Sequence, residues 1–128
     1  IMDLLYHTTD PGKIEPQAFE KEQLTSLGMP EEVVMRHRST QFGHVFSSEG
    51  YATGYYGYMW AEVLTSDAAE AFSEAPGGFY DKDISKKLVD HLFSIRNAMD
   101  PADAYRLFRG RDAKVEALMR DRGFPITQ

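Results

Sequence analysis

The sequence predicts an all-α protein built as a bundle of about six to seven short-to-medium helices. Helix start and stop signals recur at short intervals along the 128 residues. No stretch combines alternating β-branched residues with the turn chemistry of a hairpin. The chain has no internal repeat and no low-complexity tract, so short links between helices are the simplest organisation.

Glycine and proline mark the predicted helix ends in the first half of the chain. Gly28 is expected to end one short helix, and Pro30 is expected to begin the next. A long helix is predicted from about Ala52 to Phe72, because the breaker-rich segment 75–78 follows it.

The last third of the chain carries the signals of three more helices. Apolar residues at helical spacing between Ile84 and Ile95 mark the first. Asp100 is a favourable N-cap for the second, which Gly110 is expected to close. Asp112 is the expected N-cap of the third. The residues of that helix expected to point inward are Val115, Leu118 and Met119.

Composition limits the classes of partner. The net charge of −6 disfavours nucleic acids and anionic membranes, because both are polyanions. No apolar run approaches the roughly 20 residues of a membrane span, and the first residues lack the order of a signal peptide. The chain is therefore expected to be cytoplasmic, with the periplasm as an alternative. Its uncapped, amphipathic opening residues predict that it starts inside a longer chain.

The segment GYATGYYGYMWAEV, residues 50–63, holds four of the seven tyrosines. At 100° per residue, a helix that includes Tyr51 has a phenolic face and an opposite apolar face. The phenolic face comprises Tyr51, Tyr55, Tyr58 and Glu62. The apolar face comprises Tyr56, Trp60, Val63 and Leu64, and it is expected to pack in a core. Phenols suit a cleft wall, where their hydroxyl groups meet polar ligands.

Structural interpretations compete with the functional ones. Tyrosines at helical spacing often lie at the edge of a core, and an isolated histidine such as His44 is often a structural hydrogen-bonding group. Gly50 and its neighbouring glycines either let another helix approach closely or let a ligand approach the backbone. The acids of DAAEAF, residues 67–72, are expected to lie on a solvated face. No zinc-binding His-Glu-x-x-His pair, nucleophile elbow or phosphate loop is present.

Residues 41–72, QFGHVFSSEGYATGYYGYMWAEVLTSDAAEAF, resemble a signature of the thimet oligopeptidase family of zinc metallopeptidases, which includes oligopeptidase A and the bacterial peptidyl-dipeptidases. That signature has a phenylalanine and a histidine, a Gly-Gly-Tyr loop, and then a helix with Tyr-Tyr-x-Tyr and Trp-(Ser/Ala/Thr)-Glu-Val. Residues 107–124 are similar to the closing segment of the same family. Glu49 stands where the family usually has glycine, and the interval from His44 to Tyr51 is slightly longer.

The resemblance implies that residues 1–128 form a single helical unit, the C-terminal portion of a larger catalytic domain. Zinc would be bound upstream through His-Glu-x-x-His and a further glutamate, so no metal ligand is expected in this chain. The substrates would be short peptides, cleaved by an oligopeptidase or a peptidyl-dipeptidase. The chain alone is expected to be inactive, and its partner would be the N-terminal part of its own enzyme.

The resemblance also assigns roles to individual residues. His44 and Tyr58 match the positions that hydrogen-bond the scissile carbonyl as it becomes an oxyanion, and they are the expected catalytic residues. Tyr51 and Tyr55 match tyrosines that contact the substrate backbone, and Gly50 lies in the loop beside them. The alternative is a stand-alone helical interaction module that has lost the metal-binding half, with the phenolic face binding a partner peptide without zinc.

Overall fold

A computed structural model of the chain describes residues 1–126, and within that range the regular elements are helices and helical turns, with no strand. The α-helices are α1 (Met2–Thr8), α2 (Pro16–Ser26), α3 (Gly43–Phe46), α4 (Gly57–Glu74), α5 (Lys82–Leu88), α6 (Pro101–Arg109) and α7 (Val115–Asp121). The 3₁₀ turns are Pro11–Lys13, Ser39–Gln41, Glu49–Tyr51 and Gly78–Tyr80, and a π-helical turn, Val89–Phe93, follows α5. The predicted all-α class is confirmed.

Backbone contacts divide the chain into two compact units, Ile1–Tyr58 and a second unit from Met59 onward. In the first unit the buried side chains come from α1, α2 and the segment around α3. They are Met2, Asp3, Glu20, Ser39, Phe42 and Val45. Across the described residues, every helix falls short of the length and apolar character that crossing a membrane requires.

Several predicted helix ends are confirmed. Asp100 caps α6, since its carboxylate accepts hydrogen bonds from the N–H groups of Ala102 at 2.8 Å and Asp103 at 3.3 Å. Gly110 ends the same helix with a φ of 78°, and Gly28 follows α2 with the same φ. Both adopt the left-handed conformation that glycine tolerates best.

The helix predicted to begin at Pro30 is absent, because residues 29–38 form turns and irregular backbone. Val33 and Val34 are both exposed, so this segment buries no continuous apolar face. Most helical stability in proteins comes from burying such a face, and helix-compatible end signals do not replace it. Arg38 instead reaches the buried carboxylate of Glu20, with 2.6 Å between Nε and Oε1.

The long helix α4 starts five residues later than predicted, at Gly57 instead of Ala52. Thr53 has a φ of 63°, which no α-helix accommodates. Residues 52–56 therefore form turns, and Tyr51 and Tyr55 lie before the helix. The helix ends at Glu74, close to the predicted end.

The core of the second unit joins α4 and α6. Its buried residues are Ala71, Tyr105 and Phe108, and the partly buried residues packed on them are Leu64, Ala68, Ile84, Leu88, Leu92 and Ala113. The predicted apolar face is only partly correct. Val63 is buried, but Tyr56 is 64% exposed and Trp60 is 54% exposed, so the prediction of core packing is wrong for these two residues.

The prediction of a solvated acidic face on α4 is wrong for Asp67, which is 0% exposed. Its Oδ2 accepts a hydrogen bond of 2.6 Å from the Tyr105 hydroxyl. Arg111 Nη1 lies 2.8 Å from Oδ1, and Arg109 Nε lies 3.3 Å from Oδ2. A buried carboxylate is tolerated when donors of this kind satisfy it. Asp67 is therefore the polar centre of the second unit.

Two details of α7 also differ from the prediction. Lys114, not Asp112, is the N-cap residue, because Asp112 forms an ion pair with Arg106 at 2.7 Å. The Lys114 N–H donates to Oδ1 of Asp67 at 3.3 Å, which ties the start of α7 to the buried carboxylate. Leu118 is buried as predicted, whereas Val115 is exposed.

Candidate active site

The first unit brings together His44, Tyr51, Tyr55 and Tyr58, which we call the phenolic cluster. His44 lies on α3, and Tyr51 is the last residue of the 3₁₀ turn that follows. Tyr55 belongs to the turn before α4, and Tyr58 lies in the first turn of that helix. A short helix, two turns and a helix start therefore place four side chains from a fifteen-residue stretch at one location.

Hydrogen bonds connect three members of the cluster in a chain. The Tyr58 hydroxyl donates to the Tyr51 hydroxyl at 3.1 Å, and His44 Nε2 lies 3.0 Å from the Tyr58 oxygen. Because Tyr58 has one proton and gives it to Tyr51, its oxygen accepts from His44. This assigns the proton of a neutral His44 to Nε2.

Ring contacts hold the cluster together although His44, Tyr51 and Tyr58 are exposed. His44 meets the Tyr51 ring edge to face, with 4.4 Å between centroids. Tyr51 and Tyr58 are stacked at 5.6 Å, and Tyr55 lies 5.2 Å from Tyr58. Such offset and edge-to-face pairs stabilise by about 0.5–1.5 kcal/mol beyond area burial. The rings therefore fix where the hydroxyl groups point.

The Tyr58 hydroxyl is held in its protonated form. The hydrogen bond that it donates to Tyr51 raises the pKa of Tyr58, and partial loss of water and the neighbouring tyrosines raise it further. An unperturbed phenol already has a pKa of about 10. Tyr58 is therefore a neutral hydrogen-bond donor at physiological pH.

Gly50 lies beside the cluster in the turn Glu49–Tyr51 and is exposed. A Cβ atom added at this position would lie 3.6 Å from the Ser48 hydroxyl, an ordinary contact distance, and the φ angle is one that other residues adopt. The packing of this chain therefore does not require glycine at position 50.

Two supports of the cluster were not found from the sequence. Glu20, buried on α2, accepts hydrogen bonds from the Ser39 N–H at 2.8 Å and from its hydroxyl at 2.5 Å. Burial raises the pKa of the Glu20 carboxyl, but the hydrogen bonds from Ser39 and the charge of Arg38 lower it more, so its net pKa is below the usual value. Glu20 thereby fixes the segment that leads into α3.

Asp3 on α1 is the second support. Its carboxylate accepts hydrogen bonds from the N–H groups of Thr53 and Tyr55, each at 3.0 Å. The sequence contains a weak local signal, the spacing of Asp3 and His7 on one helix face, but nothing that indicates a partner fifty residues later.

Within residues 1–126, no group of three or more histidine, aspartate or glutamate residues is placed to hold a metal ion. The described residues therefore do not fit a zinc centre.

The sequence is similar to those of known proteins. The sequence profile of Peptidase family M3 matches residues 2–124. Oligopeptidase A of Haemophilus influenzae is 38% identical over 82 residues, which cover 64% of this chain and 12% of that protein. Oligopeptidase A of Escherichia coli is 35% identical over 82 residues, with the same coverage. Dipeptidyl carboxypeptidase of Salmonella typhimurium is 28% identical over 127 residues, 96% of this chain and 18% of that protein. The chain thus spans between 12% and 18% of the length of these relatives.

Proposed function

Because the chain belongs to peptidase family M3, we propose that it is the C-terminal portion of the catalytic domain of a longer zinc metallopeptidase that hydrolyses short peptides. The family is zinc-dependent. The matched relatives carry the names of peptidases, and each is several times longer than this chain. Zinc is proposed to bind residues upstream, outside this chain. One relative is named a probable cytosolic oligopeptidase A, in keeping with the proposed cytoplasmic location.

We propose that Tyr58 and His44 stabilise the oxyanion of the reaction. The observation that carries this proposal is the distance of 3.0 Å between His44 Nε2 and the Tyr58 hydroxyl. Tyr58 donates to the oxyanion directly, and His44 strengthens that donor by donating to the Tyr58 oxygen in turn. As the peptide carbonyl carbon becomes tetrahedral, its oxygen gains negative charge, and hydrogen bonds to that oxygen strengthen.

The hydrogen-bond chain suits this task. Tyr58 turns its O–H from Tyr51 toward the substrate oxygen, while His44 continues to donate to the Tyr58 oxygen. A phenol that accepts a hydrogen bond is itself a stronger donor, because successive hydrogen bonds polarise one another. The Tyr51 hydroxyl oxygen is then available to accept a different hydrogen bond. We propose that Tyr51 and Tyr55 then bind the substrate backbone beside the scissile bond.

The proposal predicts how activity is divided between this chain and the rest of the enzyme. The full-length protein should hydrolyse a short internally quenched peptide, lose that activity with a zinc chelator, and regain it when zinc is added. The isolated 128-residue chain should show no hydrolysis with or without zinc. Hydrolysis by the isolated chain, or chelator-resistant hydrolysis by the full-length protein, would contradict the proposal.

Gly50→Ala in the full-length protein is expected to raise KM several-fold, with kcat less affected. The added methyl group fits the free chain, so the expected cost arises when a peptide approaches the loop backbone. Steady-state kinetics measure the change. Gly57→Ala is the matched control, because a Cβ atom there has no neighbour within 4 Å. Equal KM values for the Gly50→Ala and wild-type proteins would remove Gly50 from the substrate site.

A further inference from the structure

We propose that Asp3 is a positioning residue for the phenolic cluster, because its carboxylate fixes residues 51–56, which include Tyr51 and Tyr55 and which we call the tyrosine turn. The inference rests on the proposed function, since the cluster must act on substrate for its position to matter. The family signature in residues 41–72 does not include Asp3, which lies about forty residues before the cluster begins.

Both carboxylate oxygens of Asp3 bind the tyrosine turn. Oδ1 accepts the Thr53 N–H and Oδ2 accepts the Tyr55 N–H, each at 3.0 Å. Asp3 is only 5% exposed. Hydrogen bonds to an ionised acceptor are roughly twice as strong as hydrogen bonds between neutral groups. Two such bonds to one buried carboxylate also restrict the orientation of the backbone that donates them. Asp3 thus fixes the backbone on both sides of Gly54.

The turn needs such a restraint because its backbone is strained. Thr53 has a φ of 63°, and a β-branched residue in the left-handed region is a true outlier. Conformations of this kind persist only where surrounding contacts over-determine them. The hydrogen bond from the Thr53 N–H to Asp3 is one such contact, and it acts at the strained residue itself.

Asp3 also supports α3, the helix that carries His44, through His7. The Nδ1 atom of His7 lies 3.0 Å from Asp3 Oδ1 and 2.8 Å from the Asp3 carbonyl oxygen, so it carries the proton that both acceptors share. The His7 ring stacks on Phe46, with 5.5 Å between centroids. Phe46 lies on α3 two residues after His44. One buried carboxylate therefore contacts the tyrosine turn and supports the helix that carries the histidine.

The contacts of the tyrosine turn determine where the Tyr58 hydroxyl group lies. Tyr58 donates to Tyr51 and packs against the ring of Tyr55, so a shift of the turn changes both contacts. A displacement of about 1 Å in a catalytic group can reduce rate by about 10²-fold. Loss of the Asp3 hydrogen bonds should therefore lower catalysis without removing a group that touches substrate.

Asp3→Asn in the full-length enzyme tests the inference. Asparagine has the same shape, but its NH₂ group must face one of the N–H donors and cannot accept from it. We expect kcat to fall about 10- to 100-fold, with a small change in KM. Amide hydrogen exchange of the peptide that contains Thr53 and Tyr55 should become faster. Asp10→Asn is the matched control, because Asp10 also accepts a backbone N–H, from Gly12 at 3.0 Å, but lies outside the tyrosine turn.

A double-mutant cycle separates positioning from a general effect on folding. If Asp3 acts through Tyr58, Asp3→Asn should lower kcat by a smaller factor in a Tyr58→Phe background than in the wild type. The inference would be overturned if the two substitutions lowered kcat by independent factors. It would also be overturned if Asp3→Asn left both kcat and amide hydrogen exchange unchanged. If Tyr58→Phe alone leaves kcat unchanged, the proposed function fails. If Tyr58→Phe lowers kcat and Asp3→Asn does not, only the inference about Asp3 fails.

Discussion

Tyr58→Phe in the full-length enzyme is expected to lower kcat about 10²- to 10³-fold, the usual loss when one oxyanion donor is removed. Phenylalanine keeps the ring contacts of Tyr58 with Tyr51 and Tyr55. It removes only the hydroxyl group that lies 3.0 Å from His44 Nε2. KM should change little, because the lost hydrogen bond forms mainly in the transition state. Steady-state kinetics on a short peptide give both constants.

Tyr56→Phe provides the matched control for this prediction. Tyr56 is two residues earlier, is exposed, and is not a member of the phenolic cluster. The same loss of a hydroxyl group should leave kcat close to that of the wild type. An unchanged kcat in Tyr58→Phe, or equal losses in the two variants, would remove Tyr58 from the catalytic residues.

Asp67→Ala is expected to lower the free energy of unfolding of the 128-residue chain by about 3–5 kcal/mol, as when one partner of a buried ion pair is removed. The variant leaves Tyr105 without its acceptor and takes a carboxylate from two arginines, of which Arg109 is 9% exposed. Arg109 keeps its hydrogen bonds to Glu74 at 2.7 Å. Urea denaturation followed by circular dichroism measures the loss.

Glu70→Ala is the control, since Glu70 lies on the same helix and also binds an arginine. Its ion pair with Arg120, at 2.6 Å, is at the surface, where such pairs contribute about 0–1 kcal/mol. Asp67 and Glu70 have the same helical pattern in the sequence. The difference in stability expected between their alanine variants therefore follows from the structure alone. Comparable small losses in both variants would show that the network around Asp67 is not stabilising.

The stabilising effect of Asp67 should depend on pH in a defined direction. Burial raises the pKa of its carboxyl, but the hydrogen bonds from Tyr105 and Arg111 lower it more, so the folded pKa is below the usual value. The contribution is then complete above the unfolded pKa of about 4 and is lost as the pH falls through the folded value. The stability difference between the wild type and Asp67→Ala should therefore shrink below about pH 4.

The case of the tyrosines shows what periodicity can predict and what it cannot. The predicted grouping of Tyr51, Tyr55 and Tyr58 is confirmed, since their rings meet in the structure, whereas Glu62, predicted on the same face, pairs with Arg122 instead. The helix predicted to include Tyr51, however, begins only at Gly57. Hydrogen bonds to Asp3 hold the turn instead. A partner so far away in sequence leaves no local signal, so tertiary contacts overrode the helical pattern.

Asp67 shows the same limit in the core. In DAAEAF it has the spacing of a solvated acid, and its burial follows from partners that lie about forty residues later, such as Tyr105 and Lys114. By contrast, the caps at Asp100 and Gly110 were predictable, because the residues that form them are adjacent to the helix they end. Where a partner outside the helix competes, as Arg106 does for Asp112 and Tyr105 does for Asp67, the sequence pattern alone does not predict the contact.

The most direct test of the central claim, that the phenolic cluster stabilises an oxyanion, uses a peptide whose scissile amide is replaced by a tetrahedral phosphinate. Its charged oxygen imitates the transition state, which enzymes bind more tightly than substrate. Tyr58→Phe in the full-length enzyme should raise the inhibition constant of this peptide by the same factor by which it lowers kcat/KM. If Tyr58→Phe binds the phosphinic peptide as tightly as the wild type does, the cluster does not stabilise the oxyanion.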